Sequence, residues 1–141
     1  MPLPVKNWFS PNDAQQKLLA ASLAYGLSKK LNRRSYETVN ESHIDILALD
    51  SDIPDVIVYD LKNNFKPLLI VEFCIEEDLQ STLRTVEIIA AAYGIQESFV
   101  LNTTTGVWHR ISSNTTSFSS RSNFFNLNLQ DLLFHSLQNH F

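Results

Sequence analysis

Two stretches, PDVIVYD at residues 54–60 and KPLLIVEFCI at 66–75, limit the fold more than any other part of the chain. Both are dense in β-branched residues, and both carry proline near the start. Proline cannot donate to a sheet ladder, so it belongs where a strand begins. The turn-forming DLKNNFKP joins them. At Asp78 the period changes. Leu79, Leu83, Val86, Ile89, Ala90 and Tyr93 trace one face of a helix, with Asp78 as N-cap and Gly94 just past the end. Two strands of this apolarity need cover on both faces. Glu72, inside the second, needs a reason to be there.

Ser10, Pro11 and Asp13 read as a helix start, with Phe9 able to staple the approach. Leu18, Leu19, Leu23, Leu27 and Leu31 then recur near helical spacing, and the helix should end near Leu31–Asn32. SYETV reads as a strand, and HIDILAL has some strand character. SFVLNT and GVWHRIS flank a turn at Thr103–Gly106, a hairpin signal. SSNTTSFSSRSN reads as a loop, and NLQDLLFHSLQ as a short helix with Leu129, Leu132, Leu133 and Leu137 inward. The order predicts one α/β domain over residues 1–141, with a mixed central sheet flanked by helices.

Composition excludes several classes. The 141 residues are 44% hydrophobic and 18% charged, in the globular range. No run approaches the roughly 20 apolar residues of a membrane span, and MPLPVKNWFS lacks the apolar core of an export signal. The one cysteine can form neither an internal disulfide nor a multi-cysteine zinc site, so a reducing cytoplasm is expected. The histidines lack ligand spacing, and three glycines leave no phosphate-binding loop. Cys74 beside a histidine would make a thiol nucleophile, but no local motif supports it, and a cysteine inside a strand usually packs. Trp8, Trp108, Tyr25 and Tyr93 read as core or interface aromatics rather than base-stacking platforms. A net charge of −4 argues against a generally basic nucleic-acid binder. It leaves room for one local patch, Lys29, Lys30, Arg33 and Arg34. The plainer reading of that patch is a set of cations at a helix C-terminus, where the dipole favours them.

If the two strands form a hairpin symmetric about Asn63–Asn64, Tyr59 faces Leu68, Asp60 faces Pro67 and Asp55 faces Glu72, with Cys74 beside Ile53. A slip of one residue would put the carboxylates on opposite faces. Two adjacent buried carboxylates repel unless one takes a proton or a cation sits between them. A hard divalent ion suits such a pair. The plainer alternative has both at strand ends, partly solvated and paired with lysine or arginine.

PDVIVYD, PLLIVEFC, the helix from Asp78 and FVLNTTTG together resemble the core of the PD-(D/E)xK nucleases, the restriction-endonuclease-like fold. They are similar to small endonuclease families of that type and to the N-terminal nuclease domain of type I restriction enzymes. The resemblance covers roughly residues 35–112. It implies hydrolysis of DNA phosphodiester bonds using Mg²⁺ or Mn²⁺, with Asp55, Glu72 and the backbone carbonyl of Phe73 as metal ligands. It also implies that a homodimer is plausible. The family's lysine position is Cys74 here, a departure that bears on catalysis because a thiol is largely neutral at pH 7. Arg84, on the following helix, is a candidate replacement cation, with Glu87 an equally natural partner for it. Glu37 and Glu41 could add a further carboxylate, or simply face solvent. Three readings follow from the sequence: a metal-dependent nuclease, an inactive nuclease-fold module for binding or assembly, and an unrelated α/β protein with a chance match.

Overall fold

The computed structural model describes residues 11–42, 44, 53–113 and 115–138. Helix α1 (Pro11–Lys30) leads into strand β1 (Tyr36–Asn40). Strands β2 (Val56–Asp60) and β3 (Lys66–Cys74) follow, then a 3-10 turn (Glu76–Asp78), helix α2 (Leu79–Tyr93), and strands β4 (Glu97–Asn102) and β5 (Val107–Ser112). Short strands β6 (Thr115–Ser117), β7 (Arg121–Ser122) and β8 (Leu127–Asn128) precede helix α3 (Leu129–Gln138). Strands β1 to β6 form one six-stranded sheet in chain order. Every neighbour pair in it is antiparallel except β3 and β4, which run parallel. A parallel pair needs a crossover, and α2 supplies it.

Alternation along the strands divides the core into two layers. Val56, Val58, Leu69, Val71, Phe73, Phe99 and Leu101 face α1 and α3, meeting Leu19, Leu23, Leu27, Leu129 and Leu133. Ile57, Tyr59, Ile70, Cys74 and Val100 face α2, meeting Leu79, Val86 and Ile89. This is the mixed sheet flanked by helices that the element order predicts.

Local details differ from the sequence reading. The β2–β3 ladder keeps the expected register from Val56↔Val71 to Val58↔Leu69, then shifts to Tyr59↔Pro67 and Asp60↔Lys66. Leu68 is the extra residue of a bulge. The pairings of Tyr59 with Leu68 and of Asp60 with Pro67 are therefore corrected. The turn spans five residues rather than six, and both Asn64 and Phe65 adopt positive φ to close it. Phe65 is bulky and 43% exposed, and its ring packs edge-on against Tyr59 at 6.5 Å. Asp78 makes no side-chain cap, because residues 76–78 wind into the 3-10 turn first. Gly94 closes α2 in the left-handed region, as expected. The serine-rich segment is not all loop, since it carries β6 at the sheet edge and β7 in a small two-stranded ribbon with β8. Ser10, Phe9 and Trp8 lie outside the described residues, as does HIDILAL apart from Ile44, which is buried.

One buried carboxylate ties the ribbon to the sheet. Glu97, at the start of β4, is 3% exposed. Its Oε2 accepts from Arg110 Nε and Nη2 at 3.0 and 2.7 Å and from the Asn123 N–H at 2.8 Å. Its Oε1 accepts from Ser122 Oγ at 2.6 Å and from the Phe124 N–H at 3.3 Å. Removing one partner of such a pair strands the other, so Glu97→Ala should cost about 3 kcal/mol of stability. Urea unfolding reads this directly, and a loss no larger than the ~0.5 kcal/mol of a surface change would show that Glu97 is not an anchor.

Candidate functional site

Asp55 sits one residue before β2, and Glu72 sits two residues from the end of β3. Beyond Val56↔Val71 the ladder gives way to side chains. The Asp55 N–H donates to Glu72 Oε1 at 3.0 Å, and the Phe73 N–H donates to Asp55 Oδ2 at 2.7 Å. Each carboxylate thus accepts from the other strand's backbone. The Glu41 N–H, just past β1, donates to the Asp55 carbonyl at 3.0 Å. The Asp55 backbone is held on both sides, and both carboxylates are half-buried. These reciprocal N–H donors fix one oxygen of each carboxylate at the strand end.

The end of β3 is held from the other edge by β4. Thr103 donates to the Cys74 carbonyl through its N–H at 2.7 Å and its Oγ1 at 3.0 Å. Buried Asn102 donates through Nδ2 to Glu76 and accepts from the Thr104 N–H at 3.0 Å. The Glu76 N–H donates to Thr104 Oγ1 at 3.0 Å. Beside this network lies a cavity of about 270 Å³, lined by Gln15, Ile75, Glu76, Glu77, Thr103 and Thr104. Asn102 and Thr104 are part of the site's frame that sequence reasoning did not single out. Their sequence signal was FVLNTTTG, a strand running into a turn.

Cys74 is 3% exposed and packs among Ile57, Ile70, Leu79 and Val86. It does not pair with Ile53, which is 53% exposed, because the ladder stops at Val56. Burial pushes its thiol from an ordinary 9.0 up to about 11; a hydrogen bond with Thr82 works against this, and the charges of Asp78, Glu72 and Asp55 add to it. The thiol is neutral at physiological pH, so it contributes no charge to the carboxylates.

The other candidates are dispersed. Arg84 is exposed on α2, whose inward residues are Leu79, Leu83, Val86 and Ile89. Glu37 lies opposite Tyr59, toward the far end of β2 from Asp55. Glu41 comes near through its backbone, with its side chain exposed. Lys29, Lys30, Arg33 and Arg34 are exposed at the C-terminal end of α1, where Lys29 Nζ lies 4.7 Å from the Tyr25 ring centre. That end adjoins the β2–β3 turn, since the Leu61 N–H donates to the Ser35 carbonyl at 2.9 Å. It is separated from Asp55 by the length of β2. Trp108 is a core residue that packs on Phe99 and donates to Gln130 Oε1 at 2.6 Å. His43 and His140 lie outside the described residues. Among the described residues, no group of three or more His, Cys, Asp or Glu could hold a metal ion, and no helix is long and apolar enough to cross a membrane.

No protein-family model and no curated protein matches the sequence. A likeness exists at the level of structure. A crystal structure described as a "putative nuclease belonging to DUF820" from Anabaena variabilis superposes with a TM-score of 0.66 at 10% identity. The match covers 86% of this chain and 82% of that one. It shows a nuclease-like fold.

The Cys74 environment makes two predictions. A thiol near pKa 11 carries about a hundredfold less thiolate at pH 8 than one near 9, so 5,5′-dithiobis(2-nitrobenzoate) should label the folded chain at least about 100-fold more slowly than the urea-unfolded chain. Equal rates would refute the burial. The fold also holds this proton more tightly than the unfolded chain does. The stability contributed by Cys74 is then complete below about pH 9 and falls between about pH 9 and 11. Unfolding curves for wild type and Cys74→Ala should converge across that range, and a constant offset would contradict the assignment.

Proposed function

We propose that this chain is a nuclease-like protein of the PD-(D/E)xK type, acting on DNA phosphodiester bonds with Mg²⁺ or Mn²⁺. The carrying observation is the reciprocal hydrogen bonding at the β2–β3 end, which holds Asp55 and Glu72 side by side. Support also comes from the nuclease-like fold and from the order of motif residues along the chain.

The donor chemistry fits a hard divalent ion. Such ions accept one or two carboxylates, with water and substrate phosphate completing the shell. Asp55, Glu72 and the Phe73 carbonyl would hold it. The adjacent Cys74 carbonyl is taken up by Thr103. When bound, the ion supplies a Lewis acid for the phosphate and lowers the pKa of an attending water. The chain's own part is orientation. The Phe73 N–H fixes one Asp55 oxygen and the Asp55 N–H fixes one Glu72 oxygen, so the two carboxylates are oriented side by side.

Cys74 limits the rate. A lysine at this position would steady negative charge developing on the phosphate, and a buried neutral thiol does not. Arg84 is exposed on α2, off the face formed by Leu79, Leu83, Val86 and Ile89, which does not support it as the replacement. This favours a second reading, a nuclease-fold module that binds without cutting. The pairing of two copies belongs to either reading.

Calorimetric titration with Mn²⁺ tests the site. Asp55→Asn and Glu72→Gln keep the shape and can still accept the backbone N–H, yet each should weaken binding at least about tenfold through loss of a formal charge. Absence of Mn²⁺ binding by wild type would remove the metal-dependent reading. In a plasmid-nicking assay with Mg²⁺, Cys74→Lys should cut at least about tenfold faster than wild type. Equal rates, with Mn²⁺ affinity retained, would show that the cysteine is no handicap. Binding without cutting in both would establish the second reading.

A further inference from the structure

The chain's charge is segregated along β2 and β3. At the carboxylate end, Asp55 and Glu72 are followed by exposed Glu76, Glu77 and Asp78. At the opposite end, two elements distant in sequence bring cations together. The α1 terminus and its following turn carry Lys29, Lys30, Arg33 and Arg34, the β2–β3 turn carries Lys62, and β3 begins at Lys66; all six are exposed. The Leu61 N–H to Ser35 carbonyl bond joins the turns, placing Lys62 and Arg34 each one residue from a bonded pair. Lys66 stands opposite Asp60, which stands opposite Tyr36. The local acids are fewer: Glu37 is exposed, and half-buried Asp60 accepts from the Lys62 N–H at 3.0 Å. Arg110 adds nothing here, because Glu97 takes it.

A helix C-terminus accounts for Lys29 and Lys30, which lie in its last turn. It does not account for Lys62 on the hairpin turn that docks beside it, or for Lys66 at the start of β3. Exposed aromatic surface accompanies the cations, in Phe65 on the turn and Tyr25 beneath Lys29. A polyanion rich in phosphates and flat rings matches this surface.

We propose that the hairpin-turn end of the sheet, formed by Lys29, Lys30, Arg33, Arg34, Lys62 and Lys66, binds the phosphate backbone of nucleic acid. The choice of nucleic acid as the polyanion rests on the reading above. The surface itself is distinct from the carboxylate site and lies about 20 Å from it, six residues of extended strand from Asp55 to Leu61. The acidic end repels the same backbone, so the field orients the ligand with the basic end leading. A strand held there spans about six nucleotides before it reaches Asp55 and Glu72, at ~3.4 Å each.

Fluorescence anisotropy with a 20-base-pair DNA duplex between 50 and 200 mM salt tests the surface. Wild type should bind with a log–log salt slope of about −4 or steeper, and the combined Arg33→Ala, Arg34→Ala, Lys62→Ala and Lys66→Ala variant should flatten it by about 3 and weaken binding at 50 mM at least tenfold. Arg33→Lys with Arg34→Lys should keep the slope, because the charge is kept. An unchanged slope in the combined variant, or no binding by wild type at 50 mM, overturns the proposal. A Mn²⁺ titration of the combined variant separates this outcome from failure of the carboxylate site. Retained Mn²⁺ affinity with lost DNA binding supports two separate surfaces, and DNA binding lost in Glu72→Gln instead would place the DNA at the carboxylates and overturn it.

Discussion

Strand β3 hydrogen-bonds along both edges, antiparallel to β2 and parallel to β4, and helices cover both of its faces. A strand enclosed on four sides can carry a charge only near an end. Glu72 stands where the β2 ladder stops, and the backbone N–H released there becomes its donor. The carboxylate pair therefore follows from how the central strand ends. The same enclosure explains Cys74: two residues further along the same face it meets α2, where a small side chain packs among apolar neighbours beside Thr82.

The two ends of the sheet treat negative charge differently. Glu97 is neutralised by Arg110 and surrounded by donors from the β7 region, an arrangement that consumes both oxygens in structural bonds. Asp55 and Glu72 each accept a backbone N–H from across the strand pair, which orients the carboxylate. The first is an anchor, and the second is a pair held in a fixed orientation. The basic cluster lies beside the hairpin turn, at the opposite end of β2 from the pair.

Much of the layout was legible because it depends on local period. The strands at 56–60 and 66–74, the switch to helical spacing after Asp78, the Gly94 stop and the hairpin through Thr103–Gly106 all rest on patterns within a few residues. The bulge at Leu68 was not legible, because the turn could be centred on Asn63 or between Asn63 and Asn64 at similar local cost. Glu97 also went unnoticed. Nothing in QESFV separates a buried carboxylate from an exposed one until Arg110 arrives from the neighbouring strand. Arg84 was undecided for the same reason, since the facing of its helix is set by what the helix packs against.

The sequence by itself determined the long helices and the principal strands, that the two central strands need cover on both faces, and that Asp55 and Glu72 are the acids interrupting them. These are properties of alternation, β-branching and turn chemistry, all short-range. Tertiary structure decided that the ladder yields to reciprocal carboxylate bonds at Asp55, that Cys74 is enclosed and neutral, and that the α1 terminus and the hairpin turn share one basic end. Each of these depends on contacts between residues far apart in the chain, where a register or a helix facing is fixed only by the sum of the packing around it.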